Sequence, residues 1–184
     1  PLSICTSQSM PLDGRVLCLI YLTPYLWEAV GADLGNPSDA DFVKSFALCD
    51  ALPEADAAGR DACFGGFGKE FIALANNRDI RSVDQMSREQ YRRIVDWCSL
   101  APGRDAITSC LMSTMNSLYW GGENNRAGAI RFCTVISDDD EQRSCFTGLI
   151  QSVQTYRSDA EYREAFCKEI PDSYQKECAT RLMR

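Results

Sequence analysis

The stretch Trp-Cys-Ser-Leu-Ala-Pro-Gly-Arg-Asp-Ala-Ile-Thr-Ser-Cys-Leu, residues 97–111, decides the fold. Cys98 comes at the end of a segment with helical periodicity, and Pro102 suits the first turn of a second helix. Cys110 then falls about two turns into that second helix. The stretch therefore predicts the corner of a helical hairpin, where two helices converge and a disulfide can span the required Cα separation of about 5.5–6 Å.

The same corner recurs along the whole chain. The ten cysteines form five pairs whose members are 11 to 14 residues apart, and a large apolar residue precedes the first cysteine of each pair. Proline follows that first cysteine by four positions in three of the pairs. Fixed spacings of this kind are typical of repeat proteins. The predicted disulfides, which also mark the five corners, are Cys5–Cys18, Cys49–Cys63, Cys98–Cys110, Cys133–Cys145 and Cys167–Cys178.

These corners predict an all-α fold of about ten helices in five hairpins, each stapled by its own disulfide. We expect residues 1–184 to form a single repeat domain, as either a short solenoid or a compact bundle. Because so few residues lie outside the first and last corners, we also expect the chain to be a fragment of a longer one or to pack its termini against a partner.

Capping patterns place several helix starts. Ser87 with Gln90 predicts a helix that runs to about Cys98, and Ser158 with Glu161 predicts another that runs to about residue 168. The apolar run 16–27 is shorter than the roughly 20 residues of a membrane span, so it predicts one buried helix. Further candidate N-caps are Ser38 and Asn125.

Charge and composition exclude several function classes. The net charge is -7, which argues against nucleic-acid binding through a basic face. The chain has no histidine, so the commonest general base and metal ligand is missing. Ten cysteines without any Cys-x-x-Cys motif predict disulfides rather than zinc sites or buried free thiols. We therefore expect a periplasmic, cell-surface or secreted protein in an oxidising compartment.

Two local clusters are candidate ligand-binding motifs, but the sequence does not favour ligand binding at either of them. Gly65, Gly66 and Gly68 lack the flanking residues of a phosphate-binding loop, so close helix packing is the better interpretation. Gly148 occupies the analogous place after a later cysteine. The acidic run 138–141 lacks the order of a calcium-binding loop and suits a solvated helix N-terminus.

Aromatic residues supply the candidate contact residues. Trp120 precedes the turn-forming stretch 121–125, so we expect it to be partly exposed at a helix end, facing a partner or a groove. Trp97, by contrast, belongs to the apolar column before the first cysteines, and we expect it to be buried. The full set of candidate binding residues is Trp120, Tyr119, Trp27, Tyr25 and Tyr21.

With one cysteine-marked hairpin per repeat, the layout resembles α-hairpin repeat arrays, namely the tetratricopeptide and cysteine-rich Sel1-like proteins. In the latter a disulfide joins the two helices of each hairpin. The resemblance lies in architecture alone, because the motifs of those families are missing, and it implies no particular functional residue.

The leading functional hypothesis is a non-enzymatic binding or structural subunit of an extracytoplasmic protein complex, with other protein subunits as partners. No catalytic residue, metal site or cofactor is predicted, because the cysteines are paired and no histidine is present. Two alternatives stay open. The first is a receptor for a small ligand or glycan, and the second is a hydrolase that uses carboxylates alone.

Overall fold

A computed structural model describes residues 2–7, 9–79, 82–121 and 126–183. This part holds ten α-helices, two short 3-10 helices (Leu2–Ile4 and Val83–Gln85) and no β-strand, which confirms the all-α prediction. None of its helices has both the length and the apolar character that crossing a membrane requires. The α-helices are α1 (Leu12–Ile20), α2 (Thr23–Ala29), α3 (Asp39–Asp50), α4 (Ala57–Ala75), α5 (Arg88–Cys98), α6 (Arg104–Gly121), α7 (Arg126–Val135), α8 (Asp139–Tyr156), α9 (Ala160–Glu169) and α10 (Asp172–Leu182).

The helices are arranged as a row of hairpins. Helices α1, α4, α6, α8 and α10 pack side by side in that order, and α5 packs against α7 on the other layer. Each hairpin thus contacts chiefly the next hairpin along the chain. The core is continuous along the row, because buried apolar side chains from all ten helices belong to one cluster.

A disulfide closes every corner. The five bonds have Cα–Cα separations of 5.5 to 5.7 Å, and each joins the two cysteines that the sequence predicts as a pair. Four bonds join the two helices of an α-hairpin: α3 with α4, α5 with α6, α7 with α8, and α9 with α10. The first corner differs, because Cys5 follows a 3-10 helix rather than an α-helix before it bonds Cys18 of α1.

Two local predictions are wrong at the level of single residues. The run 16–27 is not one helix, since it is divided at residues 21–22, and Pro24 lies in the first turn of α2. Helix α9 is capped by Asp159, not Ser158, because the Asp159 carboxylate accepts the Tyr162 N–H at 3.0 Å.

Other capping predictions have a different outcome. Capping boxes form at Ser38 with Asp41 and at Ser87 with Gln90. The sequence predicts the complete capping box at Ser87 with Gln90, whereas at Ser38 it predicts only the N-cap residue. Asn125 lies outside the described residues.

The glycines of α4 let this helix approach both of its neighbours. A Cβ at Gly66 would lie 2.7 Å from the carbonyl oxygen of Ile20 in α1. At Gly68 a Cβ would collide with the carbonyl oxygen of Cys110 in α6 and lie 2.6 Å from Thr114 Oγ1. Both contacts involve backbone that cannot easily move, so these residues serve close helix packing, as expected.

The apolar column before the first cysteines is buried in only part of the array. Phe132 and Phe166 are fully buried, whereas Ile4 is 63% exposed. Trp97 is only half-buried, which corrects the expectation of full burial. Its ring packs against the core at Phe42 and Phe71, with 5.4 and 5.3 Å between ring centroids, and the Arg93 guanidinium lies 5.9 Å from its centroid.

We expect Gly68→Ala to lower the free energy of unfolding by about 2 kcal/mol, because the added methyl group would push α4 away from the α6 backbone. Gly148→Ala is the matched control. A Cβ there would meet the flexible ends of the Met112 and Met115 side chains rather than backbone, and these ends can move aside, so we expect a change below about 1 kcal/mol. Urea unfolding measures both variants, and a Gly68→Ala protein as stable as the wild type would contradict the packing described here.

We expect the Cys5–Cys18 disulfide to be the first one reduced. Cys18 is partly exposed, whereas the other nine cysteines are buried, so an external reductant reaches this bond most readily. Limited reduction, alkylation and mass spectrometry identify the cysteines that open first. Earlier alkylation of any other pair would show that exposure does not set the order.

Candidate functional site

A groove of about 750 Å³ runs along α4, between α1 and α6. We call it the α4 groove. Its floor contains Ala58, Ala62 and Gly65, which lie on one face of α4 and leave space because their side chains are small. Val16 and Ile20 of α1 form one wall, and α6 forms the other.

A second groove, of about 490 Å³, lies between α6 and α8. We call it the α8 groove. Both grooves are lined by Met112, Asn116 and Trp120, which follow each other at helical spacing along α6. This ridge of α6 therefore separates two recesses on the same face of the array, and a ligand that covered the ridge would contact both.

Trp120 is the most prominent side chain of this ridge. It is 41% exposed, as expected for a partly exposed residue near a helix end, and its ring meets Tyr156 edge-to-face with 4.2 Å between centroids. Tyr21 lies at the same end of the α4 groove, is 57% exposed and has Lys69 Nζ 4.2 Å from its ring centroid. The two residues give that end an aromatic rim.

The other candidate contact residues do not line the grooves. Trp27 and Tyr119 are buried in the core, so they are not available to a partner in this conformation, which corrects their assignment as contact residues. Burial, followed by the hydrogen bond with Tyr162, raises the pKa of Tyr119. Tyr25 is 60% exposed but lines neither groove. The turn-forming residues 122–125 lie outside the described part.

Sequence reasoning missed Tyr156, which is exposed and lines the α8 groove. Its spacing from the preceding cysteine could have identified it, because Tyr156 follows Cys145 by 11 residues, much as Trp120 follows Cys110 by 10. Both aromatic residues thus stand near the end of the long second helix of their hairpins.

Polar groups in the α4 groove are mostly short and uncharged. The side-chain hydroxyls of Ser113 and Ser117 have no hydrogen-bond partner in the part of the chain that the structure describes. Asp61 accepts a hydrogen bond from Ser109 Oγ at 2.9 Å, whereas Lys69 pairs with the carboxylate of Glu70 at 2.9 Å. The groove therefore offers hydroxyl groups along its length and a carboxylate at one end.

The acidic run 138–141 serves the start of α8. The Asp138 carboxylate accepts the N–H groups of Asp140 and Glu141 at 3.1 and 3.0 Å, and Arg104 pairs with Asp140 at 2.8 Å. The hydrogen bond from the Glu141 N–H holds the pKa of Asp138 below its usual value, and the charge of Arg104 adds to this effect. The described residues contain no group of three or more acidic or cysteine side chains placed to hold a metal ion.

Comparison with known protein families, with curated proteins and with solved structures finds no match to this chain. The fold itself defines the class of the protein, which is an all-α structure whose corners are closed by disulfides.

We expect Asp138→Ala to lower the Tm at pH 7 by about 2–4 °C, because α8 loses its N-cap acceptor. The lowered pKa sets the sign of the pH dependence. The carboxylate stabilises the folded state above the unfolded pKa of about 3.9, and this contribution is lost as the pH falls through the folded pKa. The difference in Tm between the two proteins should therefore shrink below about pH 4.

Asp139→Ala is the control for this series, since Asp139 belongs to the same run and its carboxylate makes no hydrogen bond within the described residues. Thermal unfolding followed by circular dichroism between pH 3 and 7 compares the three proteins. A difference that stayed constant across this range would show that the charge of Asp138 does not contribute.

Proposed function

We propose that the protein is a non-enzymatic binding or structural subunit of an extracytoplasmic protein complex. The observation that carries this proposal is Trp120, an exposed tryptophan on a ridge between two adjoining grooves. Tryptophan and tyrosine are enriched among the residues that contribute most to protein–protein affinity. Trp120 and Tyr156 would be the central contacts of this interface.

Covalent cross-links support the same proposal. Disulfides at every corner hold the hairpins in one geometry, and a surface that is ordered before binding pays a smaller entropic cost when a partner binds. Structural disulfides persist in oxidising compartments, so we place the protein in the periplasm, at the cell surface or in a secreted complex.

The described side chains give little support to a carboxylate-only hydrolase. Glu141 is the one buried carboxylate among them, and its oxygens accept a hydrogen bond from Thr108 Oγ1 at 2.9 Å. A mechanism with two carboxylates needs a second one facing the first across a cleft. We therefore propose binding rather than catalysis.

A glycan receptor is the second candidate. Ser113 and Ser117 place unpaired hydroxyl groups in the α4 groove, and Asn116 lies on the same side of α6 below Trp120. A neutral ligand with many hydroxyl groups could hydrogen-bond to these side chains and cover the aromatic rim. The grooves are open rather than enclosed, however, so a broad protein surface fits them better than a small ligand does.

We expect Trp120→Ala to weaken binding of the native partner by about 30-fold or more, the usual cost of removing a central aromatic contact. Tyr25→Ala is the matched control, because Tyr25 is an exposed aromatic residue outside both grooves. The tagged chain is recovered from its native source after cross-linking, the partner is identified by mass spectrometry, and the affinities of both variants are measured by calorimetry.

Equal affinities of the Trp120→Ala and Tyr25→Ala proteins would contradict an interface centred on the α6 ridge. A native protein that is always monomeric and has measurable turnover would contradict the proposed function as a whole. Binding of the same proteins to a glycan array distinguishes the glycan receptor from the protein-binding subunit. Specific glycan binding that is lost in Trp120→Ala would favour the glycan receptor.

A further inference from the structure

We propose that the α4 groove binds one amphipathic α-helix of the partner protein, with a basic side chain at the end that meets Asp61. This inference rests on the proposed function and specifies which kind of segment the partner inserts. It depends on the shape of the groove, on the hydrogen bonding of the backbone around it, and on the distribution of charge along it.

The groove has the dimensions of a short helix. Its floor runs along α4 from Ala58 to Lys69, a distance of about 16 Å at the helical rise of 1.5 Å per residue, which matches about three turns of a second helix. Small residues line the floor, while Val16 and Met112 rise on the two sides. A helix laid along α4 could therefore insert apolar side chains at every third or fourth position.

The backbone around the groove favours a helical occupant over an extended peptide. Except for Tyr21, which directly follows α1, every residue that lines the groove lies within α1, α4 or α6. Backbone N–H and C=O groups inside helices are already paired, so they cannot hydrogen-bond to an extended peptide as a sheet edge would. An extended segment would leave many of its own backbone groups unpaired on this floor, whereas a helix carries its hydrogen bonds internally.

Charge is distributed unevenly between the two ends of the groove. Asp61 makes no ion pair within the described residues, because the nearby arginines bind other carboxylates. Arg60 pairs with Asp50 at 2.6 Å, and Arg104 pairs with Asp140 at 2.8 Å. A lysine or arginine on the incoming helix would form an ion pair with Asp61, in addition to the hydrogen bond from Ser109 Oγ, and the net charge of -7 would attract a basic segment from a distance.

The opposite end of the groove suits an apolar anchor. Lys69 is neutralised by Glu70 and lies over the ring of Tyr21. Tyr21 and Trp120 then offer two exposed aromatic surfaces to a large apolar side chain. The groove thus prefers a helix with a basic residue at one end and a bulky apolar residue about three turns away.

A synthetic peptide of about 14 residues tests the proposal on the full, oxidised chain. The probe has leucine at positions i, i+3, i+4, i+7 and i+11, lysine at the end that would meet Asp61, and alanine elsewhere. Its controls are a peptide with two central prolines, which cannot form a helix, and a peptide with glutamate in place of lysine. Fluorescence anisotropy gives the dissociation constants. The Ala58→Trp variant tests whether the peptide binds in the groove, because the larger side chain fills its floor.

Ala47→Trp is the matched control for that substitution, because Ala47 is also an exposed helical alanine but lies on α3, away from the groove. We expect the probe to bind the native chain and the Ala47→Trp protein equally, and the Ala58→Trp protein about tenfold more weakly. The proline and glutamate peptides should each bind the native chain about tenfold more weakly than the probe. Asp61→Asn should weaken binding about threefold and reduce its dependence on salt. Because this variant is made separately, it tests the proposal even if the Ala58→Trp protein does not fold.

Three results would overturn the inference: no binding of the probe, equal binding to the Ala58→Trp and Ala47→Trp proteins, or equal binding of the proline peptide. The last result would instead indicate an extended occupant. If the native partner still depends on Trp120 while the helical probe fails, the proposed function stands and the helical occupant does not. If the native partner is also indifferent to Trp120, the proposed interface fails as well.

Discussion

The disulfide at each corner is the constraint on which the rest of the structure depends. Several helices have only nine to twelve residues, lengths at which isolated helices are marginal in water. Closing a loop of 11 to 14 residues lowers the entropy of the unfolded chain by an amount worth about 3 kcal/mol per bond in the chain-entropy model. Because the bonds lie where the helices converge, they also fix the angle at which each hairpin presents its second helix to the next.

The candidate site follows from how these second helices pack. Gly66 lets α4 approach α1, and Gly68 lets it approach α6, so that small side chains of α4 form a floor between two higher neighbours. A second recess lies between α6 and α8, on the other side of the α6 ridge that carries Trp120. This face offers exposed aromatic rings and the carboxylate of Asp61, which accepts a hydrogen bond from Ser109 Oγ and makes no ion pair within the described residues.

The sequence predicted the repeating part of this structure well, because cysteine spacing, prolines and caps are local signals. It failed where burial depends on distant segments. Tyr119 and Trp120 are adjacent in the chain, yet one is fully buried and the other is 41% exposed. That difference arises from the direction of each side chain on α6. The grooves could not be predicted from the sequence either, since the helices that line them, α1, α4, α6 and α8, belong to four different corners. The glycines of α4, by contrast, were correctly assigned to close packing.

All five disulfides are local in sequence, and this has a consequence for how the protein matures. Ten thiols allow about 945 complete pairings, yet each native bond joins a cysteine to its nearest neighbour in the chain. A polypeptide that emerges residue by residue into an oxidising compartment can therefore close each bond before the next pair of thiols appears. Maturation of this kind proceeds from one end to the other and makes little demand on enzymes that reshuffle mispaired cysteines.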